Sequence, residues 1–310
     1  MPELPEVETI RRGLNDCLIK EKGGKVLSIE VLEKKSFIGD SAIVVDASVT
    51  QMRRRGKALI FDLSNDMSLI CHLRMTGQLV WWEMSYYEER VRQKESGSTL
   101  NDSNYKNMLD HTFGGGHPTD ALLDLPNKQT RVIINFERGK LFFNDQRKFG
   151  FIKVLPTDKV EKDAFISKLA KEPWDMTGEE LYRKLQHHKG APIKSVILDQ
   201  SIVAGLGNIY ADETLYYAKI NPRRKAGLVS EKEAGKLIEG ARLVMDKSLE
   251  AGGSTIRNYV KSDGTKGDYL ELFAEVFNRQ GQKCRRCGNI IEKTKVGGRG
   301  THYCPRCQKD

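Results

Sequence analysis

The stretch CRRCGNIIEKTKVGGRGTHYCPRC, residues 284–307, carries four of the six cysteines of the 310-residue chain. They fall as two pairs, Cys284 with Cys287 and Cys304 with Cys307, and 16 residues separate the pairs. Two thiolates at that spacing ride one tight turn and face one ion. Two such turns close a tetrahedral four-sulfur shell, which suits zinc. A closed shell leaves no open position, so the one zinc expected is structural and not catalytic. His302 is not needed as a ligand. Between the pairs, residues 290–296 read as a strand, Gly297-Gly298-Arg299-Gly300 as a glycine turn, and Thr301-His302-Tyr303 as a second strand. The expectation is a zinc-ribbon β-hairpin finger with Arg299 at its tip.

Around this stretch the charge is positive: Lys283, Arg285, Arg286, Lys293, Lys295 and Arg306 surround the glycine-flanked Arg299. From residue 181 to the end, 24 Lys and Arg face 14 Asp and Glu, whereas residues 1–180 hold 27 against 28. The net charge of +9 therefore sits in the C-terminal part, which favours a nucleic-acid face there. The remaining cysteines, Cys17 and Cys71, are isolated. With no secretion signal, the cysteine usage points to a reducing, cytoplasmic compartment. No apolar run reaches the roughly 18 residues of a membrane span. A composition of 39% hydrophobic and 30% charged residues fits a soluble protein, and the length fits two domains.

The N-terminal half reads as mainly β after one short helix. Residues 25–33, 56–63, 68–80, 132–136 and 140–144 have strand character, and Glu137-Arg138-Gly139 marks a hairpin turn. Residues 84–127 are rich in Ser, Asn, Asp and Gly and read as a partly flexible insertion. The C-terminal half is helical. Ser230 with Glu233 forms a capping box that starts a helix through residue 250, ended by Gly252-Gly253. Gly205-Leu206-Gly207 lacks the third glycine and the preceding strand of a dinucleotide fingerprint. It reads instead as a tight turn delivering Asn208 as N-cap of a helix over 209–218. That helix start is either a capped structural turn or a phosphate site. The later Asn221-Pro222-Arg223-Arg224-Lys225 cluster reads equally well as a solvated face.

Three separated stretches, MPELPEVETIRR, LDQSIVAGLGNIYADETL and GGRGTHYCPRCQ, occur in one order and carry a resemblance. The chain resembles bacterial formamidopyrimidine-DNA glycosylases over nearly its whole length apart from roughly 84–127. The implied fold is α+β: an N-terminal helix plus β-sandwich domain over 1–157, a linker over 158–165, a helix-two-turns-helix module over 166–275 and the zinc finger over 276–310. A lesion-capping loop is implied over about 252–269, and DNA is expected in a basic cleft between the domains. The implied activity is bifunctional: excision of oxidised purines (8-oxoguanine and formamidopyrimidines), then β,δ-elimination at the abasic site. The implied partner is double-stranded DNA containing an oxidised base, bound by a monomer.

The resemblance also assigns residues. Loss of Met1 frees the amine of Pro2, and a terminal amine has a pKa of about 7.7–8, low enough to be nucleophilic near neutrality. Glu3 is the implied general acid/base, with Glu6 one turn on orienting Pro2 or relaying protons. Lys57, after Arg53-Arg54-Arg55-Gly56, is implied to contact phosphate and assist β-elimination. Arg299 is implied to grip the phosphates and serve δ-elimination. Met75, Arg147 and Phe149 are implied to fill the hole left by a flipped nucleotide; as strand residues, Met75 and Phe149 also read as core. Gln129, Lys189, Lys194, Asn208 and Tyr259 complete the implied DNA contacts.

The chain departs from the family pattern at Gln129-Thr130-Arg131, where His-Thr-His is frequent, and at Lys148, at Ala170-Lys171-Glu172-Pro173 and at Asn278. Two other functions compete: an endonuclease VIII-type glycosylase for oxidised pyrimidines, and a non-catalytic zinc-dependent DNA-binding protein.

Overall fold

The computed structural model describes residues 2–22, 24–96, 112–116, 124–252 and 272–309. Contacts divide the chain into two compact units. The first takes Pro2 and residues 6–163; the second takes residues 3–5 and everything described from 164 onward.

Helix α1, Leu4–Asn15, has Pro5 in its first turn, where no intrahelical N–H is required. Val7, Ile10 and Leu14 recur at helical spacing and are buried in the first unit's core. Leu4, at the head of the same helix, is buried in the core of the second.

The first unit is a β-sandwich. Strands β1 (Val26–Val31), β8 (Thr130–Phe136), β9 (Gly139–Asp145), β6 (Gly77–Glu83) and β7 (Thr112–Gly116) form one sheet in that order. Strands β2 (Phe37–Ile38), β10 (Phe151–Pro156), β5 (Met67–His72), β4 (Ala58–Leu63) and β3 (Val49–Arg55) form the other. Alternate residues such as Leu79, Trp81, Ile134 and Phe143 from one sheet, with Leu59, Phe61 and Leu69 from the other, make a single core. The period of two that marks a strand thus supplies the inner face.

Residues 84–127 depart from the loop expected of them. Met84–Glu95 is a helix, α2, and Thr112–Gly116 is strand β7, paired antiparallel with β6. Tyr86 and Leu125 cover Val80, Trp82, Ile133 and Phe142 on the outer face of the first sheet. That face carries large apolar side chains and needs a cover, which local composition does not reveal. The stretch expected as a linker begins in a short 3-10 helix, Thr157–Lys162, with Val160 fully buried. The boundary between the units falls after Asp163.

The second unit packs α3 (Gly178–Gln186), α4 (Ile193–Ile197), α5 (Asn208–Ala218) and α6 (Glu231–Glu250) around one apolar core. Capping boxes at Thr177 with Glu180 and at Ser230 with Glu233 start α3 and α6. Two turns join α4 to α5. Gln200 braces both, its Nε2 donating to the carbonyls of Leu198 and Leu206 (3.0 and 2.8 Å) and its Oε1 accepting from Gly205 N–H at 2.9 Å. The finger, β11 (Glu292–Val296) and β12 (Arg299–Tyr303), belongs to the same unit. Among the described residues no helix is long and apolar enough to cross a membrane.

Candidate active site

In the second unit the key feature is the start of α5. The group seated there is the chain's own Glu3. Its carboxylate accepts the N–H groups of Ile209 at 2.9 Å and Tyr210 at 3.4 Å, two of the donors a helix start leaves unpaired. Gly207 permits this approach, since a Cβ there would lie 2.2 Å from Glu3 Cδ. Leu4 N–H donates to Gly205 O at 3.3 Å. The glycine turn therefore seats residues 3 and 4, in keeping with the structural turn that was one of its two readings. Asn208 is the first residue of α5 and not its N-cap; the cap position is Gly207. The Asn208 side chain instead donates from Nδ2 to Gly300 O, 3.0 Å away on the finger.

Lys194 also differs from expectation. It is fully buried, so it is not a surface phosphate contact. Its Nζ pairs with Asp212 at 2.7 Å and donates to Gly300 O at 3.0 Å and to Thr301 Oγ1 at 2.9 Å. Asp212 Oδ2 accepts the backbone N–H of His302 at 2.9 Å. Burial pulls the Lys194 pKa down, against the Asp212 carboxylate that favours the charged form. This pair fastens β12 to the helical core, and Arg299 follows from it. Arg299 pairs with Val296 in the hairpin ladder, so the turn is Gly297-Gly298 alone and Arg299 opens the second strand. It is exposed. Lys194→Ala would strand a buried carboxylate. The expected cost is about 3–5 kcal/mol, read as a lowered urea midpoint; an unchanged midpoint would contradict this role for the pair.

Glu213 is a second anchor that sequence reading passed over. Its buried carboxylate accepts the N–H groups of Glu275, Val276 and Phe277 at 2.8, 3.0 and 2.8 Å, holding the turn segment that leads into the finger. Arg223 lies over the Tyr303 ring and bonds Thr294, and Arg224 pairs with Glu233 at 2.6 Å. These two therefore brace structure. Lys189 is exposed.

The four sulfurs of Cys284, Cys287, Cys304 and Cys307 all lie within 4.8 Å of one another, with Cys287 and Cys304 at 3.5 Å and Cys284 and Cys307 at 3.9 Å. A tetrahedral shell with metal–sulfur bonds of about 2.3 Å puts sulfurs about 3.8 Å apart. The donor set therefore suits a metal held by four sulfurs. His302, beside Phe277, is not among the clustered donors.

In the first unit, Lys57 sits in the two-residue turn between β3 and β4, where Arg55 pairs with Ala58. Gly56, with φ of +56°, takes the left-handed conformation such a turn needs at its first position. Lys57 is buried. Near it, His72 is held neutral: burial, then the charges of Arg74 and Lys57, push its pKa down to about 3. Pro2 precedes α1, and Glu6 is fully buried in the first turn of that helix.

Met75 and Phe149 lie on loops and not in the strand core; they are 37% and 55% exposed. Arg147, between them in sequence, stacks its guanidinium 4.7 Å from the Phe149 ring centroid. One buried carboxylate organises both loops. Asp145 accepts N–H groups from Arg147 at 3.1 Å, Phe149 at 2.7 Å and Gly150 at 2.7 Å, and the hydroxyl of Thr76. Asp145 N–H donates to Gln129 O at 2.8 Å, which brings Gln129 to the same place. Arg131, in the altered triplet, turns inward and donates to Asp145 O at 2.8 Å. Tyr259 and most of the expected capping loop lie outside the described residues.

With this geometry in hand, comparison with known proteins is direct. The profile of the formamidopyrimidine-DNA glycosylase N-terminal domain matches residues 1–152, that of its H2TH domain residues 169–260, and that of the zinc finger found in FPG and IleRS residues 281–309. The formamidopyrimidine-DNA glycosylase of Pelotomaculum thermopropionicum is 37% identical over 313 residues, covering 100% of this chain and 99% of its own. That of an Exiguobacterium species is 37% identical over 317 residues, with both chains fully covered. Among solved structures, a Lactococcus lactis FPG mutant in complex with a Fapy-dG containing DNA has a TM-score of 0.79 at 32% identity, covering 100% of both chains. The wild-type Lactococcus lactis enzyme with an oxidised pyrimidine containing DNA has a TM-score of 0.78 at 31% identity, again over 100% of both chains.

Proposed function

The chain belongs to the formamidopyrimidine-DNA glycosylase family, and we propose that it excises 8-oxoguanine and formamidopyrimidines from duplex DNA and then cleaves the abasic site by β,δ-elimination. In this reading the Pro2 nitrogen attacks C1′ of the flipped nucleotide. The glycosidic bond breaks and the base leaves with the proton that the Pro2 nitrogen gives up; Glu3, in its carboxylic acid form, then protonates the ring oxygen as the C1′–O4′ bond opens to leave an iminium. Lys57 contacts the neighbouring phosphate and assists loss of the 3′ phosphate; Arg299 serves the 5′ side. Glu6 orients Pro2 or relays protons. Met75, Arg147 and Phe149 replace the extruded nucleotide in the stack, where apolar and planar groups offset part of the unstacking cost. Gln129, Lys189, Asn208 and Tyr259 add contacts to the DNA. The four-cysteine shell holds one structural zinc. The working form is a monomer in the bacterial cytoplasm.

The observation that carries this reading is the seat of Glu3. A carboxylate held by two helix N–H groups directly follows the proline whose amine would react. Exposed apolar Met75 and Phe149 add support, because solvent is a costly place for such groups unless a base stack receives them.

The test is excision, under single-turnover conditions, from duplexes that differ only in the lesion. Faster release of 8-oxoguanine opposite cytosine than of an oxidised pyrimidine is expected. The reverse order would favour the endonuclease VIII-type reading. Tight binding with no release from either duplex would favour a DNA-binding protein without catalysis.

A further inference from the structure

Pro2, Glu3, Glu6, Lys57 and Arg299 leave one acid of the opening motif without a role, Glu8. Its carboxylate accepts four hydrogen bonds. Oε1 accepts from Arg11 Nη2 at 2.8 Å and Arg12 Nε at 3.0 Å. Oε2 accepts from Arg11 Nε at 3.0 Å and from Arg54 Nε at 3.2 Å. Pairs with Arg11 and Arg12 are ordinary i,i+3 and i,i+4 neighbours on a helix, each contributing little. The bond to Arg54 is different in kind. It leaves the helix for strand β3, and both side chains are only 12% exposed, so solvent screens it weakly.

Arg54 has a second arm. Its Nη1 donates to Gly56 O at 2.9 Å. That carbonyl belongs to the peptide between Gly56 and Lys57, the central peptide of the β3–β4 turn. Gly56 supplies the positive φ this turn needs, and the orientation of the peptide after it sets where the Lys57 side chain leaves the turn. A flip would re-aim the Lys57 side chain. Capping the carbonyl selects one orientation. Although burial pushes the Glu8 pKa up, the hydrogen bonds of Arg11 and Arg12 and the charges of Arg11 and Arg54 hold it down to about 2. Glu8 is therefore an anion throughout the working pH range.

We infer that Glu8 is a positioning residue for Lys57: through Arg54 it fixes the turn peptide from which Lys57 departs. The inference rests on the reading of Lys57 as an active-site amine. Nothing in it requires Glu8 to touch DNA.

The test is a double-mutant cycle on the full-length protein, following strand cleavage at a preformed abasic site in duplex DNA. Glu8→Gln keeps an acceptor but loses the charge; Arg54→Lys keeps a charge but loses the arm that reaches Gly56. Each should slow cleavage about 10- to 100-fold, the range expected when a reacting group is slightly misplaced, with duplex affinity and thermal midpoint nearly unchanged. In a Lys57→Ala background neither change should slow cleavage further. Full activity in Glu8→Gln, or the same slowing with and without Lys57, overturns the inference while the role of Lys57 stands. Full activity in Lys57→Ala overturns that role and the inference with it.

Discussion

Protein that retains Met1 should excise 8-oxoguanine at least about 10³-fold more slowly than protein beginning at Pro2, the scale on which loss of a nucleophile acts. The reason is electronic. An amide nitrogen delocalises its lone pair into the carbonyl, whereas the free secondary amine of proline holds it for attack on C1′. A retained methionine changes nothing in the helices, sheets or finger described above, so duplex affinity should stay within a few fold. That separation of binding from chemistry makes the result informative. Pro2→Gly is the milder companion. It keeps a terminal amine but loses the ring that fixes the direction of the lone pair, so most excision should be lost while folding is kept. Intrinsic fluorescence and lesion-duplex titration would confirm that both proteins fold and bind.

The second large effect concerns the four-cysteine shell. The cluster at the finger's base is small: Tyr216, Val276, Cys284, Ile291 and Cys304. So few buried groups cannot offset the entropy of ordering the finger, and a metal must do so. Structural zinc supplies about 10–16 kcal/mol in comparable small fingers. Cys304→Ala should therefore unfold the finger outright. Arg299 would lose its place, and duplex affinity should fall about 10- to 100-fold, the worth of one or two charged hydrogen bonds. The sandwich and the helices α3 to α6 should keep their far-UV circular dichroism. Metal analysis should find one zinc per wild-type chain and none in the variant. Retained affinity in a metal-free variant would contradict the finger's part in binding.

What could be read from the sequence is what local rules govern. The cysteine spacing, the capping box at Ser230 and the hairpin turn each depend on a few adjacent residues; the first two appear where expected, and the turn expected at Glu137-Arg138-Gly139 occupies residues 137–138, with Gly139 opening the second strand. What stayed hidden depends on distant partners. Glu3 meets Ile209 across 206 residues of sequence, and Lys194 meets Thr301 across 107. No window sees either pair, so neither the seat of Glu3 nor the burial of Lys194 could be read from the sequence. The insertion failed for another reason. Thr112–Gly116 reads TFGGG, which is turn chemistry by composition. Its glycines serve close packing instead: a Cβ on Gly115 would lie 2.3 Å from Ile10 Cγ1. Pairing to β6 overrides the weak local preference for a strand. Asp145 escaped notice because it acts through the backbone N–H groups of other residues, and Glu8 because it acts through the side chain of Arg54.

The central claim is that the Pro2 amine forms a covalent intermediate with the sugar. The most direct measurement is borohydride reduction of the protein, its N-terminus confirmed as Pro2, on a duplex carrying 8-oxoguanine opposite cytosine, followed by peptide mass analysis. The account predicts a stable protein–DNA adduct whose added mass maps to the N-terminal peptide, together with a cut strand. An adduct mapped to a lysine peptide, or no adduct despite tight binding and base release, would contradict it.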